Sequence, residues 1–236
     1  MKFNLIILTL FFINNLICAE TTPLDYVLKE DSVTLIAVDF KDLENKTKAG
    51  TFHYNVYVPA GYSANKDRKY CCLFIASPGG NAGLGNVKNW SKKNEWIVVM
   101  LVESKNDDAP GASMSNFISA HDDVVKRLRI QNGFKFGTGH SGGARVSSLF
   151  SSYREGFAGV ILQSAGFAWD KTGYLYDSAK NNKNLTVYAI IGTKDGNLKE
   201  ISELDRNLPV HTIRKLISPD IGHEWAPEAD IVLGLE

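Results

Sequence analysis

The chain has 236 residues, and its 26 lysines and arginines are balanced by 26 aspartates and glutamates, so the formal net charge at pH 7 is zero. This balance excludes a strong electrostatic field that would draw the protein to nucleic acid or to an anionic membrane. The length suits one α/β domain with a substantial buried core. We therefore predict neither a nucleic-acid partner nor a membrane partner for the mature chain.

The N-terminus has the pattern of a secretory signal. Lys2 precedes an apolar run over Leu5–Leu16, and cleavage is expected after Ala19. The apolar run is short for a membrane span. We predict a signal peptide over residues 1–19, a single domain over residues 20–236 and a secreted or periplasmic protein, with a retained N-terminal anchor as the alternative.

Strands are predicted along the first half of the mature chain. Alternating apolar residues predict a strand over Phe52–Val58. Ser32–Phe40 is expected to form another strand, with a charged loop over residues 41–50 between the two. The near-continuous apolar runs Tyr70–Ala76 and Trp96–Val102 are typical of parallel strands covered on both faces by helices.

The mature chain keeps two cysteines, Cys71 and Cys72, which are adjacent on one of these predicted strands. Neighbouring side chains on a strand point to opposite faces, so the two thiols are badly placed to form a disulfide with each other. We expect both to be core residues.

Helices alternate with strands in the second half of the chain. Apolar side chains share one face over Phe117–Leu128, which predicts a helix, and its pairs Asp122/Lys126 and Asp123/Arg127 are expected to be exposed. The alternation predicts an α/β fold with a mostly parallel central sheet and helices on both faces. The other elements are strands over Phe134–Thr138, Phe157–Leu162, Val187–Ile191 and His211–Ile217, and helices over Val146–Tyr153 and after Pro227.

The pentapeptide Gly139-His140-Ser141-Gly142-Gly143 has the G-x-S-x-G pattern of a nucleophile elbow. It lies between a predicted strand and a predicted helix, as such an elbow requires. The glycines provide room for a tight turn that exposes the Ser141 hydroxyl at the edge of the sheet. We predict Ser141 as a nucleophile, with helix capping as its ordinary structural alternative.

An acid and a histidine follow the elbow at the ends of later strands. Asp195 comes after the strand ending at Ile191, and His223 comes after the strand ending near Ile217. Because the carboxyl ends of parallel strands meet in one crevice, these residues are expected to meet Ser141 there. An imidazole can take the serine proton, and a carboxylate can fix the imidazole's tautomer. Asp170 is the alternative acid.

These features resemble the α/β-hydrolase family over nearly all of Thr51–Trp225. The resemblance is carried by Tyr54–Tyr62, by the elbow and by the block Gly192-Thr193-Lys194-Asp195. These segments are similar to those of secreted esterases of the polyhydroxybutyrate depolymerase, feruloyl esterase and acetyl-xylan esterase type. The resemblance implies an α/β-hydrolase fold and a serine-histidine-aspartate ester hydrolase that forms an acyl-enzyme and needs no metal or organic cofactor.

Such an enzyme also needs donors for the oxyanion of its tetrahedral intermediate. The Gly142 amide is the expected first donor, and Gly79 or Gly80 is expected to supply the second. Relatives commonly have histidine then glycine where this chain has Ser77 and Pro78, so the identity of the second donor stays open.

About twenty residues separate the strands before and after Trp169, which is too few for a large cap domain. An open crevice is expected, with Trp169 and Trp225 as candidate substrate-binding residues and with acylated polysaccharide or polyester as candidate substrates. A serine peptidase or a thioesterase on the same scaffold is the alternative among enzymes. A non-catalytic binding module is the alternative outside enzymes.

Overall fold

The computed structural model describes residues 28–41, 49–106, 110–170, 173–174, 182, 184–208 and 213–236. The predicted signal peptide and most of the predicted loop over residues 41–50 lie outside this part of the chain. No helix within it is long and apolar enough to cross a membrane.

An eight-stranded sheet forms the centre of the molecule, in the order β1-β2-β4-β3-β5-β6-β9-β10. The second strand is antiparallel to both of its neighbours, and all the other adjacent strands pair in parallel. A short antiparallel hairpin, β7 with β8, stands apart from this sheet. The strands are β1 Ser32–Lys41, β2 Ala49–Val58, β3 Tyr70–Ala76, β4 Ile97–Leu101, β5 Ile130–His140, β6 Phe157–Gln163, β7 Trp169–Asp170, β8 Gly173–Tyr174, β9 Thr186–Gly192 and β10 Ile213–Ser218.

Helices cover both faces of the sheet. One apolar cluster contains Phe117 and Phe150, and it packs α2, α3 and α4 against one face. The other cluster contains Trp90 and Ile231, and it packs α1 and α5 against the opposite face. The helices are α1 Lys88–Asn94, α2 Pro110–Arg127, α3 Gly142–Tyr153, α4 Leu198–Asn207 and α5 Glu228–Leu235, with a 3-10 turn at Gly85–Val87 before α1.

The predicted fold class is confirmed, since the sheet is mostly parallel and has helices on both faces. Strands β3 and β4 are almost completely buried, as their apolar runs predict. Cys71 and Cys72 on β3 are both free thiols. Three elements were not predicted, namely α1, α4 and the β7–β8 hairpin.

Two predictions about α2 are wrong. Asp123 was expected to be exposed, but it is 3% exposed because it accepts a hydrogen bond from the Tyr54 hydroxyl at 2.7 Å and pairs with Arg127 at 2.5 Å. Val125 was expected on the apolar face, but it is 44% exposed. The buried carboxylate is therefore part of the contact between α2 and β2.

The sheet order decides where chemistry can occur. The carboxyl ends of β3, β5, β6, β9 and β10 lie side by side at one edge. Loops that follow these strands converge there, so side chains far apart in sequence become neighbours.

Candidate active site

Ser141 lies in the sharp turn between β5 and α3, with φ 52° and ψ −120°. This conformation is strained for a residue with a side chain, and such strain is concentrated at functional sites. Gly139 and Gly143 permit it, because a Cβ on either would overlap the backbone: that on Gly139 would lie 2.6 Å from the Ala76 carbonyl oxygen. The chain therefore forms an elbow where the sequence predicts one.

The three residues predicted as a triad are brought together. Ser141 Oγ and His223 Nε2 are 3.0 Å apart, and His223 Nδ1 is 3.1 Å from each carboxylate oxygen of Asp195. Because an ionised carboxylate only accepts hydrogen bonds, Nδ1 carries the proton and Nε2 is left to accept from the serine hydroxyl. The Asp195 side chain is fully buried, whereas that of His223 is 44% exposed. The arrangement joins a buried carboxylate to a serine hydroxyl through an imidazole that faces solvent.

The loops that carry the acid and the base are held against each other. The Lys194 amide donates to the Ile221 carbonyl at 3.0 Å. A Cβ on Gly192 would overlap the same carbonyl group, so glycine is needed for the loops to touch. This contact fixes Asp195 next to His223. Asp170, the alternative acid, belongs to β7, and its side chain lies outside the described residues.

Gln163 links the elbow to the loop of the base. It is fully buried at the end of β6, and its carbonyl accepts the Ser141 amide at 2.9 Å. Its side-chain Oε1 accepts hydrogen bonds from the Ala226 backbone amide at 3.2 Å and from Asn86 Nδ2 at 2.9 Å, and its Nε2 donates to Thr138 Oγ1 at 3.0 Å. This residue was not predicted, although a single polar side chain in an otherwise apolar strand is a signal that sequence offers.

Ser164 forms a second link beside it. It is 3% exposed and has φ 56°, a strained value for serine. Its hydroxyl donates to the Glu224 carbonyl at 2.8 Å, and its carbonyl accepts the Asn197 side chain at 2.9 Å. Glu224 follows the base, and the Asn197 amide donates to the Asp195 carboxylate at 2.8 Å. Ser164 therefore fixes both loops relative to β6.

His140 packs against the base rather than competing with it. Its ring centroid is 4.8 Å from that of His223 and 5.3 Å from that of Trp225, and the residue is only 7% exposed. Burial, and then the neighbouring His223, lower the pKa of His140 to about 4. Its buried Nε2 has no hydrogen-bond partner among the described residues. At neutral pH His140 is therefore an uncharged ring that supports the flank of the base.

No protein-family model matches the sequence, and no curated protein matches it either. Solved structures do resemble the chain. A serine-to-alanine mutant of the feruloyl esterase module from Clostridium thermocellum, complexed with sinapinate, is 15% identical with a TM-score of 0.62, over 85% of this chain and 84% of that one. The S-formylglutathione hydrolase from Staphylococcus aureus is 16% identical with a TM-score of 0.60, over 86% and 96% of the two chains.

A third structure is the substrate-bound fluorophosphonate-binding serine hydrolase F from Staphylococcus aureus, 13% identical with a TM-score of 0.61 over 86% of this chain and 95% of that one. The chain has the α/β-hydrolase fold. In the described residues this α/β-hydrolase fold carries no large cap: the only elements between β6 and β9 are the two short strands of the β7–β8 hairpin.

Within this α/β-hydrolase fold, two glycine amides remain suitable as oxyanion donors. The Gly142 amide opens α3, where the first N–H groups of a helix have no partner inside it. No hydrogen bond of the Gly79 amide is found among the described residues, and Gly79 lies in the loop after β3, where it forms a bridge with Lys105.

Gly80 is disfavoured as a donor. Its amide already donates to the Ser77 carbonyl at 3.1 Å. Its φ is 73°, and a Cβ there would lie 2.6 Å from the Val102 carbonyl oxygen. The glycine is therefore needed for the turn itself, and Gly79 is the better candidate of the pair.

The two predicted substrate-binding tryptophans are both exposed, Trp169 by 60% and Trp225 by 39%. Trp225 lies against His140, as described above. Trp169 lies 6.0 Å from the guanidinium of Arg145, which is one helical turn after the nucleophile. Arg145 also forms an ion pair with Glu200 at 2.7 Å. Each indole thus approaches an element that carries part of the triad.

A separate cavity of about 390 Å³ lies between the start of β1 and the segment around α1. Its lining includes Asp31, Tyr57, Leu84 and Lys92 and no member of the triad. This cavity is therefore separate from the triad, and the exposed imidazole of His223 faces solvent.

Proposed function

We propose that the protein is a serine ester hydrolase in which Ser141 is the nucleophile, His223 the general base and acid, and Asp195 the residue that orients the base. The observation that carries this proposal is the chain of hydrogen-bond distances from Ser141 Oγ to His223 and on to the buried Asp195 carboxylate. The strained elbow and the fold shared with esterases and serine hydrolases support it.

The reaction follows from the positions of these groups. Ser141 Oγ attacks the ester carbonyl carbon as its proton passes to His223 Nε2, and the π electron pair moves onto the carbonyl oxygen. The oxyanion accepts hydrogen bonds from the Gly142 and Gly79 amides. When the intermediate collapses, the bond to the alcohol oxygen breaks and His223 gives that oxygen the proton, which leaves an acyl group on Ser141.

Water completes the cycle. It gives a proton to His223 Nε2 while its oxygen bonds to the acyl carbon, and a second oxyanion forms. Collapse breaks the bond to Ser141 Oγ, which regains the proton from His223, and the carboxylic acid leaves. Asp195 stays ionised throughout and stabilises the imidazolium in both halves of the reaction. No cofactor has a role in this scheme.

The substrate class follows from the open site. The base is exposed, the exposed Trp225 follows it by two residues, the exposed Trp169 lies near Arg145, and no large cap is found among the described elements. Such a crevice admits an ester carried on bulky material, for which flat aromatic side chains provide contact area. Together with the proposed export of the chain, this favours acylated polysaccharide or a polyester as substrate.

A panel of esters tests the proposal. Purified protein is assayed with p-nitrophenyl esters of increasing chain length, feruloylated and acetylated polysaccharide, a polyester film, a thioester and a peptide amide. We expect ester hydrolysis that Ser141→Ala abolishes without loss of fold. Turnover confined to the thioester or the peptide would favour those alternative activities, and no turnover of any substrate by folded protein would favour a binding module.

A further inference from the structure

Asn106 follows β4 and reaches the first turn of α3. Its carboxamide oxygen fills the place that a Cβ on Gly142 would take, with Cγ 2.7 Å and Nδ2 3.3 Å from that place. Gly142 carries the first of the proposed oxyanion donors. We infer that Asn106 is a further catalytic residue, whose Nδ2 donates a hydrogen bond to the oxyanion; this inference rests on the proposed ester hydrolysis.

The backbone holds Asn106 in this position. Its amide donates to the Pro78 carbonyl at 2.9 Å, and the adjacent Lys105 forms a bridge with Gly79. The segment that carries the carboxamide is therefore joined to the loop that carries the second proposed donor. A substrate oxygen bound by the Gly142 amide would therefore lie near this side chain, which contacts Gly142.

The loop after β3 offers few backbone N–H donors to an oxyanion, so a donor from the Asn106 side chain would add to them. Pro78 has no N–H, and the Gly80 amide is occupied by the Ser77 carbonyl. The Asn106 side chain is exposed and makes no hydrogen bond to any described residue. Both of its N–H groups are therefore available to a ligand.

The Asn106 carboxamide can present its oxygen in the resting enzyme and its NH₂ group in the transition state. Its oxygen faces the N-terminus of α3, where the helix dipole favours an acceptor. The terminal torsion of asparagine is roughly two-fold, so a half turn exchanges the oxygen for the NH₂ group. The negative charge that develops on the substrate oxygen repels Oδ1 and favours the orientation in which Nδ2 faces that oxygen. Because this bond strengthens only with that charge, we expect it to raise kcat and to leave KM nearly unchanged.

The rate of phosphonylation by a fluorophosphonate probe tests the inference without knowledge of the natural substrate. The probe's phosphoryl oxygen develops negative charge in the same pocket as Ser141 attacks. We expect Asn106→Ala to lower the second-order labelling rate by roughly 10- to 100-fold, which approaches the loss that follows removal of one side-chain donor from an oxyanion hole. Lys105→Ala, in the same exposed segment, is the matched control: it keeps the backbone bridge to Gly79 and should keep the wild-type rate.

The possible outcomes distinguish a failure of the proposed role of Asn106 from a failure of the proposed ester hydrolysis. If wild-type protein is labelled at Ser141 and Asn106→Ala is labelled within twofold of its rate, the role of Asn106 is wrong and the proposed function stands. If folded wild-type protein is not labelled, both fall. Asn106→Asp, which keeps the shape but lacks the donor, must also be slow; a normal rate in that variant overturns the inference.

A second measurement excludes a merely structural role. Gly142→Ala would force the carboxamide out, so adding Asn106→Ala to it should slow labelling much less than Asn106→Ala does alone. Full additivity of the two effects would show that the side chain acts elsewhere. Steady-state kinetics on a p-nitrophenyl ester should show the loss in kcat, and a loss confined to KM would contradict an oxyanion contact.

Discussion

The packing of the elbow predicts a large effect from one methyl group. In Gly143→Ala the new Cβ would lie 2.6 Å from the Ala76 carbonyl carbon and 2.9 Å from the Ser77 amide nitrogen, and it would overlap the Ala76 carbonyl oxygen. Non-bonded atoms of this kind prefer about 3.5 Å, so the start of α3 must move roughly 1 Å away from the end of β3. β3 cannot yield easily, because it is buried between β4 and β5.

Two quantities follow from that displacement. Overpacking of a dense core costs about 1–3 kcal/mol, which for a chain of this size corresponds to a fall in Tm of roughly 2–12 °C. A shift of about 1 Å between nucleophile and oxyanion donors lowers kcat on the order of 100-fold. Both effects have the same steric cause, since Gly143 does not have the positive φ that would itself require glycine.

Differential scanning calorimetry and p-nitrophenyl butyrate hydrolysis measure the two effects. Gly83→Ala is the matched control, because a Cβ there meets nothing within 4 Å and φ is not positive. We expect Gly83→Ala to match wild type and Gly143→Ala to lose both stability and turnover. If the two variants behave alike, the close contact between the elbow and β3 does not exist in solution.

Three further outcomes follow from the site. Asp195→Asn should keep the wild-type Tm but lower kcat by up to about ten-thousandfold, because an amide does not enforce the Nδ1–H tautomer of the base; near-normal turnover would assign the acid elsewhere. Gln163→Leu leaves the buried Ala226 amide without its acceptor and removes one of the two acceptors of Asn86 Nδ2, which keeps the Ala226 carbonyl, so urea unfolding should show a loss of about 1–3 kcal/mol together with a lower kcat, and an unchanged kcat would exclude a positioning role. The pKa of His140 lies near 4 in the fold and near 6.5 when unfolded, so the unfolded state binds more protons between these values and stability falls as the pH drops below 6.5. Between pH 7 and pH 5 we expect a loss of about 2 kcal/mol in the unfolding free energy that His140→Phe removes, and an equal loss in that variant would refute the assignment.

The sequence predicted the elements whose signals are local. The apolar runs of β3 and β4 are typical of buried strands, and glycines on both sides of Ser141 indicate a tight turn wherever the rest of the chain lies. The order of serine, acid and histidine at strand ends then indicates which side chains can meet. These inferences need only periodicity and the geometry of a parallel sheet.

The remainder depends on contacts between distant segments, which periodicity does not reveal. Asp123 looks like a surface residue until Tyr54, 69 residues away, is found against it. Gln163 has no local sign of its three side-chain partners. Helix α4 has acidic or basic residues at five of its ten positions, and its narrow apolar stripe, which includes Leu204, was not predicted.

The oxyanion loop shows the same limit at the site itself. Gly79 and Gly80 are equivalent in sequence. Only the structure shows that the Gly80 amide already donates to the Ser77 carbonyl, whereas no hydrogen bond of the Gly79 amide is found among the described residues. The nearness of Asn106 to Gly142 likewise depends on how the loop after β4 returns to β3. Residues that complete a site from neighbouring loops are therefore the ones that sequence alone identifies least well.

Covalent labelling is the most direct test of the central claim that Ser141 is an activated nucleophile. Folded protein is treated with a fluorophosphonate, and the adduct is counted by intact mass and located by peptide mapping. We expect one adduct per chain, on Ser141, that is absent from Ser141→Ala and strongly slowed in His223→Ala. An unlabelled wild-type protein, or an adduct on another serine, would contradict the account.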